Sequence, residues 1–179
     1  MSRLDNRQRE GTGGARLPRL LRWLSLGLAL MLLAMAVGCV MVRTAGHDVA
    51  RWHVDPATTA RTGKPNDFLA APEGASAAQP DRILATWALA PGDLLTRFDA
   101  VVRAAPRTEV VAGTPEALFV TYVQRSALIG FPDYISVRAI PVQGGASLVI
   151  WSRSRYGYSD LGVNRARVEG WLEALGPSE

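Results

Sequence analysis

Hydrogen-bonding side chains are concentrated near the C-terminal end of this 179-residue chain, in the stretch RSRYGYSDLGVNRARVEGWL. Arginine guanidinium groups suit carboxylates and phosphates, and the free N–H groups that open a helix also attract anions. The stretch begins as a strand and continues as an amphipathic helix, so both kinds of donor fall at one junction. It therefore predicts a ligand-binding site. The candidate residues are Arg153, Arg155, Tyr158, Asp160, Asn164 and Arg165.

The same residue types also suit a purely structural corner. Gly157 can take a positive φ, and Ser159 and Asp160 can accept the free N–H groups of the last helix. Arg165 and Arg167 fall in the first helical turn, where positive charge opposes the helix dipole, so an acidic partner is expected. Asp160 is the nearest candidate. A corner that fixes the last helix to the sheet remains an alternative to a binding site.

Recognised catalytic and cofactor signatures are absent from the sequence. GxxxxGK, GxSxG, HExxH, CxxC and GxGxxG do not occur, and these are the patterns that mark phosphate, nucleophile, metal and dinucleotide chemistry. The sequence therefore favours a non-catalytic protein without a cofactor. A hydrolase or transferase that uses Tyr158, Asp160 or His53 remains the alternative.

The two histidines, His47 and His53, lie six residues apart with Asp48 and Asp55 nearby. Imidazole and carboxylate together suit zinc, but a zinc site usually needs three or four protein ligands. No further histidine or cysteine follows in the chain, so no metal site is predicted. WHVDP is better explained by a packed Trp52 and an Asp-Pro turn.

An uncharged run of 20 residues extends from Trp23 to Val42. As a helix it is about 30 Å long, which matches the hydrocarbon core of a bilayer. Six arginines precede it and Arg43 alone follows closely, so the positive-inside rule places residues 1–22 in the cytoplasm. We expect a single-pass protein of the bacterial inner membrane with a periplasmic C-terminal domain. A cleaved signal peptide and a lipoprotein acylated at Cys39, within AVGC, remain alternatives.

The positive net charge of the chain belongs to its N-terminal tail. Beyond Val42 there are 14 basic and 14 acidic residues, so the remaining chain is formally neutral. This balance argues against a nucleic-acid partner. The expected partners are the membrane, through residues 23–42, and an anionic or lipid-like small ligand or an envelope protein.

The remaining sequence predicts an α+β domain, with an antiparallel sheet of about five strands and two helices packed on one face. Residues 43–80 read as an irregular membrane-proximal segment and linker, and residues 81–179 as the core domain. RILATWAL could form a first strand. PGDLLTRFDAVVRAAP has helical periodicity and Asp93 as its cap. Strands are predicted at Thr108–Ala112, Ala117–Ser126, Tyr134–Ile140 and Ser147–Ser154, before a last helix that carries Trp171.

Alternation along the strands assigns the side chains to two faces. One face is apolar and should lie under the helices; it comprises Leu118, Val120, Tyr122, Ile135, Val137, Ala139, Leu148 and Ile150. The opposite face mixes aromatic and aliphatic residues with four arginines, Arg125, Arg138, Arg153 and Arg155. It is either a ligand platform or a solvated sheet face, since antiparallel sheets commonly leave one face in water.

SRSRYGYSDLGVNRARVE, preceded by WHVDP, GKPNDFLA and APRTEVVAG, resembles the bacterial family catalogued as domain of unknown function 1499. The resemblance extends from about Trp52 to Leu175, and its most specific part is the strand–turn–helix segment. It implies a domain type and a membrane-proximal location. No reaction is established for that family, so the resemblance supplies no catalytic residues.

Overall fold

The computed structural model describes residues 16–177, with side chains from residue 19, so most of the predicted cytoplasmic tail lies outside the described residues. Helix α1 covers Arg16–Thr44. Its portion from Arg19 is long and apolar enough to cross a membrane, and a signal sequence would meet the same criteria. The chain forms two compact units, Met1–Met41 and Val42–Glu179.

The second unit is a mixed α+β domain built on one six-stranded sheet. Its elements are α2 (Val49–Trp52), β1 (Asp67–Ala71), β2 (Arg82–Ile83), α3 (Pro91–Ala104), β3 (Thr108–Thr114), β4 (Phe119–Arg125), β5 (Pro132–Val142), β6 (Gly145–Ser154) and α4 (Val163–Leu175). The strand order is β2-β1-β6-β5-β4-β3. All neighbours are antiparallel except β1 and β2, which are parallel. The predicted α+β class and antiparallel character are confirmed, with six strands instead of about five.

The additional strand, β1, comes from the segment that we expected to be irregular. Its residues are Asp67–Ala71, of which the last four are fully buried. A strand covered on both faces shows a continuous apolar run instead of alternation, so periodicity did not reveal it. Arg61 holds the strand by an ion pair to Asp67, and it also pairs with Asp81 at 3.0 Å. RILATWAL forms only the two-residue β2 and one isolated bridge, from Trp87 to Ala146.

Helices α3 and α4 cover one face of the sheet and form the main core with it. The predicted apolar set lies there: all of its members are buried in that core except Leu118, which packs against it half-buried. Tyr122 donates a hydrogen bond to Asp99 of α3 at 2.8 Å, which ties β4 to the helix. The predicted cap of α3 is wrong: the N-cap is Ala90, without a side-chain bond, and Pro91 starts the helix. Proline suits that position because it lacks only an N–H that would be unpaired anyway.

Helices α3 and α4 lie on one face, as predicted, but the opposite face is covered as well, so it is neither the solvated face nor the open ligand platform that the sequence offered. The short helix α2 and the chain up to Ala78 lie over it. Trp52 packs there with Val123 and Tyr134 in one cluster. A second cluster joins Leu69, Ala71, Val149 and Trp151 with partly buried residues between Val54 and Ala78. The stretch that reads as a linker therefore forms a second layer, because its small and apolar side chains fit the surface of the sheet.

Stacking and hydrogen bonds hold this covering layer in place. The rings of Trp52 and Tyr134 are parallel with centroids 3.9 Å apart. His53 stacks on Phe119 at 4.0 Å, and its Nδ1 is 2.9 Å from the hydroxyl of Thr121. Burial of large aromatic side chains in paired geometry is among the stronger local contributions to stability.

Candidate functional site

The six predicted site residues do not form one pocket. Arg153, in β6, and Arg155, directly after it, lie on the face beneath the covering layer, where they contact Trp52 and Gly46. Asn164 contacts Ser152 and Ser154, which point to the other face under α4. This separation follows from strand alternation, because residues one apart on β6 point to opposite sides of the sheet.

Arg153 is buried between two tryptophan rings. Its guanidinium carbon lies 4.1 Å from the ring centroid of Trp151 and 5.5 Å from that of Trp52. Its nitrogens donate to the Trp52 carbonyl at 2.6 Å, to Ser136 Oγ at 3.2 Å and to the Trp151 carbonyl at 3.4 Å. Burial lowers the pKa of Arg153 to about 10, so the group is still charged at neutral pH. The guanidinium thus clamps α2 onto the sheet instead of facing solvent.

Arg155 lies at the edge of the same layer. It donates to the Gly46 carbonyl at 3.1 Å and to the Tyr134 hydroxyl at 3.4 Å. His47 Nδ1 is 2.9 Å from that hydroxyl, and His47 Nε2 is 3.4 Å from Arg125 Nη2. An arginine can only donate, so Nε2 accepts and Nδ1 carries the proton. Burial, followed by the charge of Arg125, lowers the pKa of His47, which favours the neutral imidazole over the imidazolium.

Asn164 belongs to a buried polar network beneath the N-terminus of α4. Arg167 forms an ion pair with Asp133 at 2.6 Å, and both side chains are buried. Arg167 also donates to Gln124 Oε1, Ser152 Oγ and Asn164 Oδ1 at 2.5, 3.0 and 2.5 Å. Each polar group named here has a partner, which is the condition for such a network to be stable in a low-dielectric interior.

The amide nitrogen of Asn164 extends the network across the corner. It donates to the Asn66 carbonyl and to Ser154 Oγ, both at 3.0 Å. Asn66 in turn donates to the Gly157 carbonyl at 2.9 Å, and Gly157 has the positive φ that was expected. The residues before β1, the end of β6 and α4 are therefore joined at one point.

Asp160 accepts a free N–H at the start of the last helix, as the structural interpretation predicts, although the N-cap residue itself is Gly162. Its carboxylate accepts from the backbone N–H of Gly162 at 3.1 Å and of Asn164 at 2.8 Å. The expected pairing of Asp160 with the arginines of the first turn is wrong. Arg165 pairs instead with Glu169 at 3.3 Å, because an i,i+4 neighbour lies on the same side of the helix.

The two remaining aromatic and cationic groups of the predicted site face outward. The guanidinium carbon of Arg165 lies 4.5 Å from the ring centroid of Phe68, and the side chain itself is exposed. The side chain of Tyr158 is 73% exposed. Neither side chain is among the hydrogen-bond or ring partners described for Arg153.

The three residues considered for catalysis are also dispersed. His53 bonds Thr121 in the middle of β4, whereas Tyr158 and Asp160 follow the far end of β6. Arg125, the last residue of β4, lies at the same end of the sheet as the end of β6. It is four positions after Thr121, a distance of roughly 13 Å along a strand. Burial and then Arg138 lower the pKa of His53. Among residues 16–177, no three His, Cys, Asp or Glu side chains are close enough together to hold a metal ion.

An open groove of about 610 Å³ lies at the other end of the domain, between β2 and the C-terminal end of α4. Apolar groups of Ile83, Leu84, Trp87 and Leu172 line it, and Arg82, Glu169 and Glu173 carry its charges. The buried indole N–H of Trp87 has no hydrogen-bond partner. The sequence analysis did not identify this groove, because its walls are more than eighty residues apart in the chain.

The described fold and contacts define a class: a mixed α+β domain with both faces of its sheet covered, preceded by one apolar helix. The chain belongs to the family described as protein of unknown function DUF1499, whose model matches residues 58–175. The match confirms the resemblance on the strand–turn–helix segment and begins after WHVDP. No curated protein and no solved structure matches the chain.

Proposed function

We propose that this protein is a single-pass, membrane-anchored module of the bacterial cell envelope, with a periplasmic domain that binds a segment of another envelope polypeptide. The proposal rests on one observation above all. Arg153, Asp160 and Asn164 of the signature stretch are bonded within the protein, while the groove beside β2 stays open. The function is therefore binding without catalysis.

The groove favours an apolar polypeptide segment over a small anion. Two glutamates and one arginine line it, so its charge does not attract an anionic ligand. About half of its surface is apolar, from side chains such as Ile83 and Leu172, and this part suits the apolar side chains of a polypeptide segment. β2 is an edge strand with β1 as its neighbour in the sheet, and sheet edges commonly pair with added peptide strands.

A site-specific photocrosslinker at Ile83 of the full-length protein, in native membranes, tests the binding proposal. Ile83 is 58% exposed and lines the groove. We expect one discrete protein adduct. Ala85→Trp, at an exposed groove position, should reduce the yield about tenfold, which corresponds to about 1.4 kcal/mol of lost affinity. Ala88→Trp, also exposed but outside the groove lining, is the matched control and should leave the yield unchanged.

Two results would overturn the binding proposal. One is the absence of any discrete adduct at Ile83. The other is an adduct whose yield is equally affected by Ala85→Trp and Ala88→Trp, since the groove would then not be the contact.

The anchor is tested by the intact mass of the protein extracted from membranes. An uncleaved anchor predicts the mass of the whole chain and retention in the membrane after alkaline carbonate washing. A signal peptide would leave a shortened, washable product, and a lipoprotein would begin at an acylated Cys39. Either of these masses would refute the uncleaved anchor.

A further inference from the structure

Exposed apolar side chains of the second unit are concentrated at one end of its sheet. Seven of the nine large exposed hydrophobic residues described after Thr44 lie in or directly beside two loops, residues 126–131 and 155–162. We call these seven the apolar tip. They are Leu128, Ile129, Phe131, Tyr156, Tyr158, Leu161 and Val163. The other two exposed residues, Val49 and Ile83, lie elsewhere.

The two loops are neighbours in space. Residues 126–131 connect β4 to β5, and residues 155–162 connect β6 to α4. The strand register pairs Asp133 with Ser154, so both loops emerge from the same end of the sheet. The rings of Phe131 and Tyr156 approach to 5.9 Å between centroids. The apolar tip is therefore one surface, and a cluster of exposed hydrophobic residues of this kind marks an interaction site.

Hydrogen bonds connect the first of these loops to the residues at which the apolar helix ends. Arg43 donates to the carbonyls of Leu128 at 2.5 Å and Ile129 at 3.2 Å. Arg125 donates to the carbonyls of Val42 and Ala45, both at 3.3 Å. Val42 is the last residue of the uncharged run. The end of the membrane-spanning run and the apolar tip are thus held together within one compact unit.

A glycine permits this close approach. Gly130 has a φ of 85°, and the side chain of Arg43 occupies the space that a Cβ would need there. Any larger residue at position 130 would displace Arg43 and strain the backbone. The contact between the loop and residue 43 is therefore built into the loop conformation.

We infer that the apolar tip inserts into the interfacial region of the same bilayer that the N-terminal helix crosses. The inference rests on the proposed anchor and adds a second, peripheral membrane contact to it. Tyrosines with an apolar ring and a polar hydroxyl are enriched at this depth of the bilayer, and Tyr156 and Tyr158 supply two of them. Leu128 and Leu161, which are 87% and 94% exposed, have the aliphatic side chains that gain most from leaving water.

The consequence is a fixed orientation of the domain. The groove lies at the C-terminal end of α4, and the apolar tip lies at its N-terminal end. A 13-residue helix is about 20 Å long. With the tip in the bilayer, the groove would face away from the membrane and stay accessible to another envelope polypeptide.

The inference is tested by electron paramagnetic resonance on the full-length protein in phosphatidylcholine nanodiscs. Nitroxide labels are placed by Leu128→Cys or Leu161→Cys in a Cys39→Ser background, and Ile83→Cys is the control at the groove end. Oxygen partitions into the bilayer, whereas a charged nickel complex stays in water. We expect the ratio of oxygen to nickel accessibility to be several-fold higher at both tip positions than at Ile83.

Three results would overturn the inference. Ratios at the tip equal to the ratio at Ile83 would show that the tip remains in water. A high ratio at one tip position alone would show that the two loops are not one membrane-binding surface. Protection of both tip positions from both reagents would show that protein covers the tip. A processed chain that does not enter nanodiscs would instead refute the anchor, so the two failures are distinguishable.

Discussion

Replacing Trp52 with alanine tests whether residues 43–80 are a structural layer of the domain. Trp52 is 93% buried, stacks on Tyr134 and gives its carbonyl to Arg153. Truncation of a buried tryptophan costs about 3–5 kcal/mol, to which loss of an aromatic pair contributes about 0.5–1.5 kcal/mol. Because the cavity would open beneath the guanidinium of Arg153, we expect the free energy of unfolding to fall by about 3–5 kcal/mol.

The assay is urea unfolding of the full-length protein in detergent micelles, followed by far-ultraviolet circular dichroism. Trp52→Phe should retain the stacking and lose less stability than Trp52→Ala. Trp23→Ala, in the apolar helix and 71% exposed, is the matched control and should leave the unfolding of the domain unchanged. A loss below about 1 kcal/mol for Trp52→Ala would refute the reasoning, because such a value is typical of a surface position.

Three further predictions concern the same fold. Arg167→Leu leaves Asp133 buried without its ion pair, so urea unfolding should show a loss of about 3–5 kcal/mol. Arg103→Ala, the control, removes a more exposed pair and should cost at most about 1 kcal/mol. Equal losses for the two variants would contradict the buried network. The pKa values of His47 and His53 are both lowered in the folded protein. Because the unfolded chain therefore binds more protons below about pH 6.5, the free energy of unfolding should fall as the pH drops through and below that value. A His47→Asn/His53→Asn variant whose free energy of unfolding depends on pH as strongly as before, between pH 7.5 and 5.5, would contradict this. Gly113→Ala places a Cβ against the Phe119 carbonyl at a φ of 83° and should destabilise by more than about 1 kcal/mol. Gly92→Ala, in the first turn of α3, would only bring a Cβ into ordinary contact with Leu118 at 3.8 Å, so it should be neutral or stabilising in the same assay.

The sequence predicted the elements that helical periodicity, or strand-like runs between Gly- and Pro-rich breaks, mark out. Helices α3 and α4 and strands β3 to β6 all follow helical or alternating periodicity, and each was expected within a few residues of its observed bounds. The placement of Tyr122, Val137 and Ile150 on the same face of the sheet was also predictable, because it depends only on alternation along each strand. Strand β1 was missed because it has only five residues and precedes the alanine- and proline-rich stretch that reads as a linker, so no break set it apart.

The covering layer was missed for a different reason. Residues 43–80 are rich in alanine, proline and glycine, a composition that is typical of linkers. Their role depends on contacts with strands that follow later in the chain, such as Trp52 with Tyr134 and His53 with Phe119. No local pattern encodes such contacts.

The candidate site shows the same limit of sequence reasoning. Arginine is rarely buried, so Arg153 was expected to face solvent or a ligand. Arg167 was expected to have an acidic partner, with Asp160 as the nearest candidate. In the structure each arginine has internal acceptors supplied by distant segments: the Trp52 carbonyl for Arg153, and Asp133 and Gln124 for Arg167. The turn chemistry of Gly157 and the capping by Asp160, which are local, were predicted correctly.

The most direct test of the central proposal, an uncleaved anchor that holds the domain outside the cytoplasm, is labelling in intact cells. The protein carries Ile83→Cys and keeps Cys39, so that lipidation remains possible, and the chain without Ile83→Cys is the blank. A membrane-impermeant maleimide is added before or after lysis. The account predicts that Ile83→Cys is labelled before lysis, on a product with the mass of the whole chain. Labelling only after lysis, or a labelled product that lacks the N-terminal helix, would contradict it.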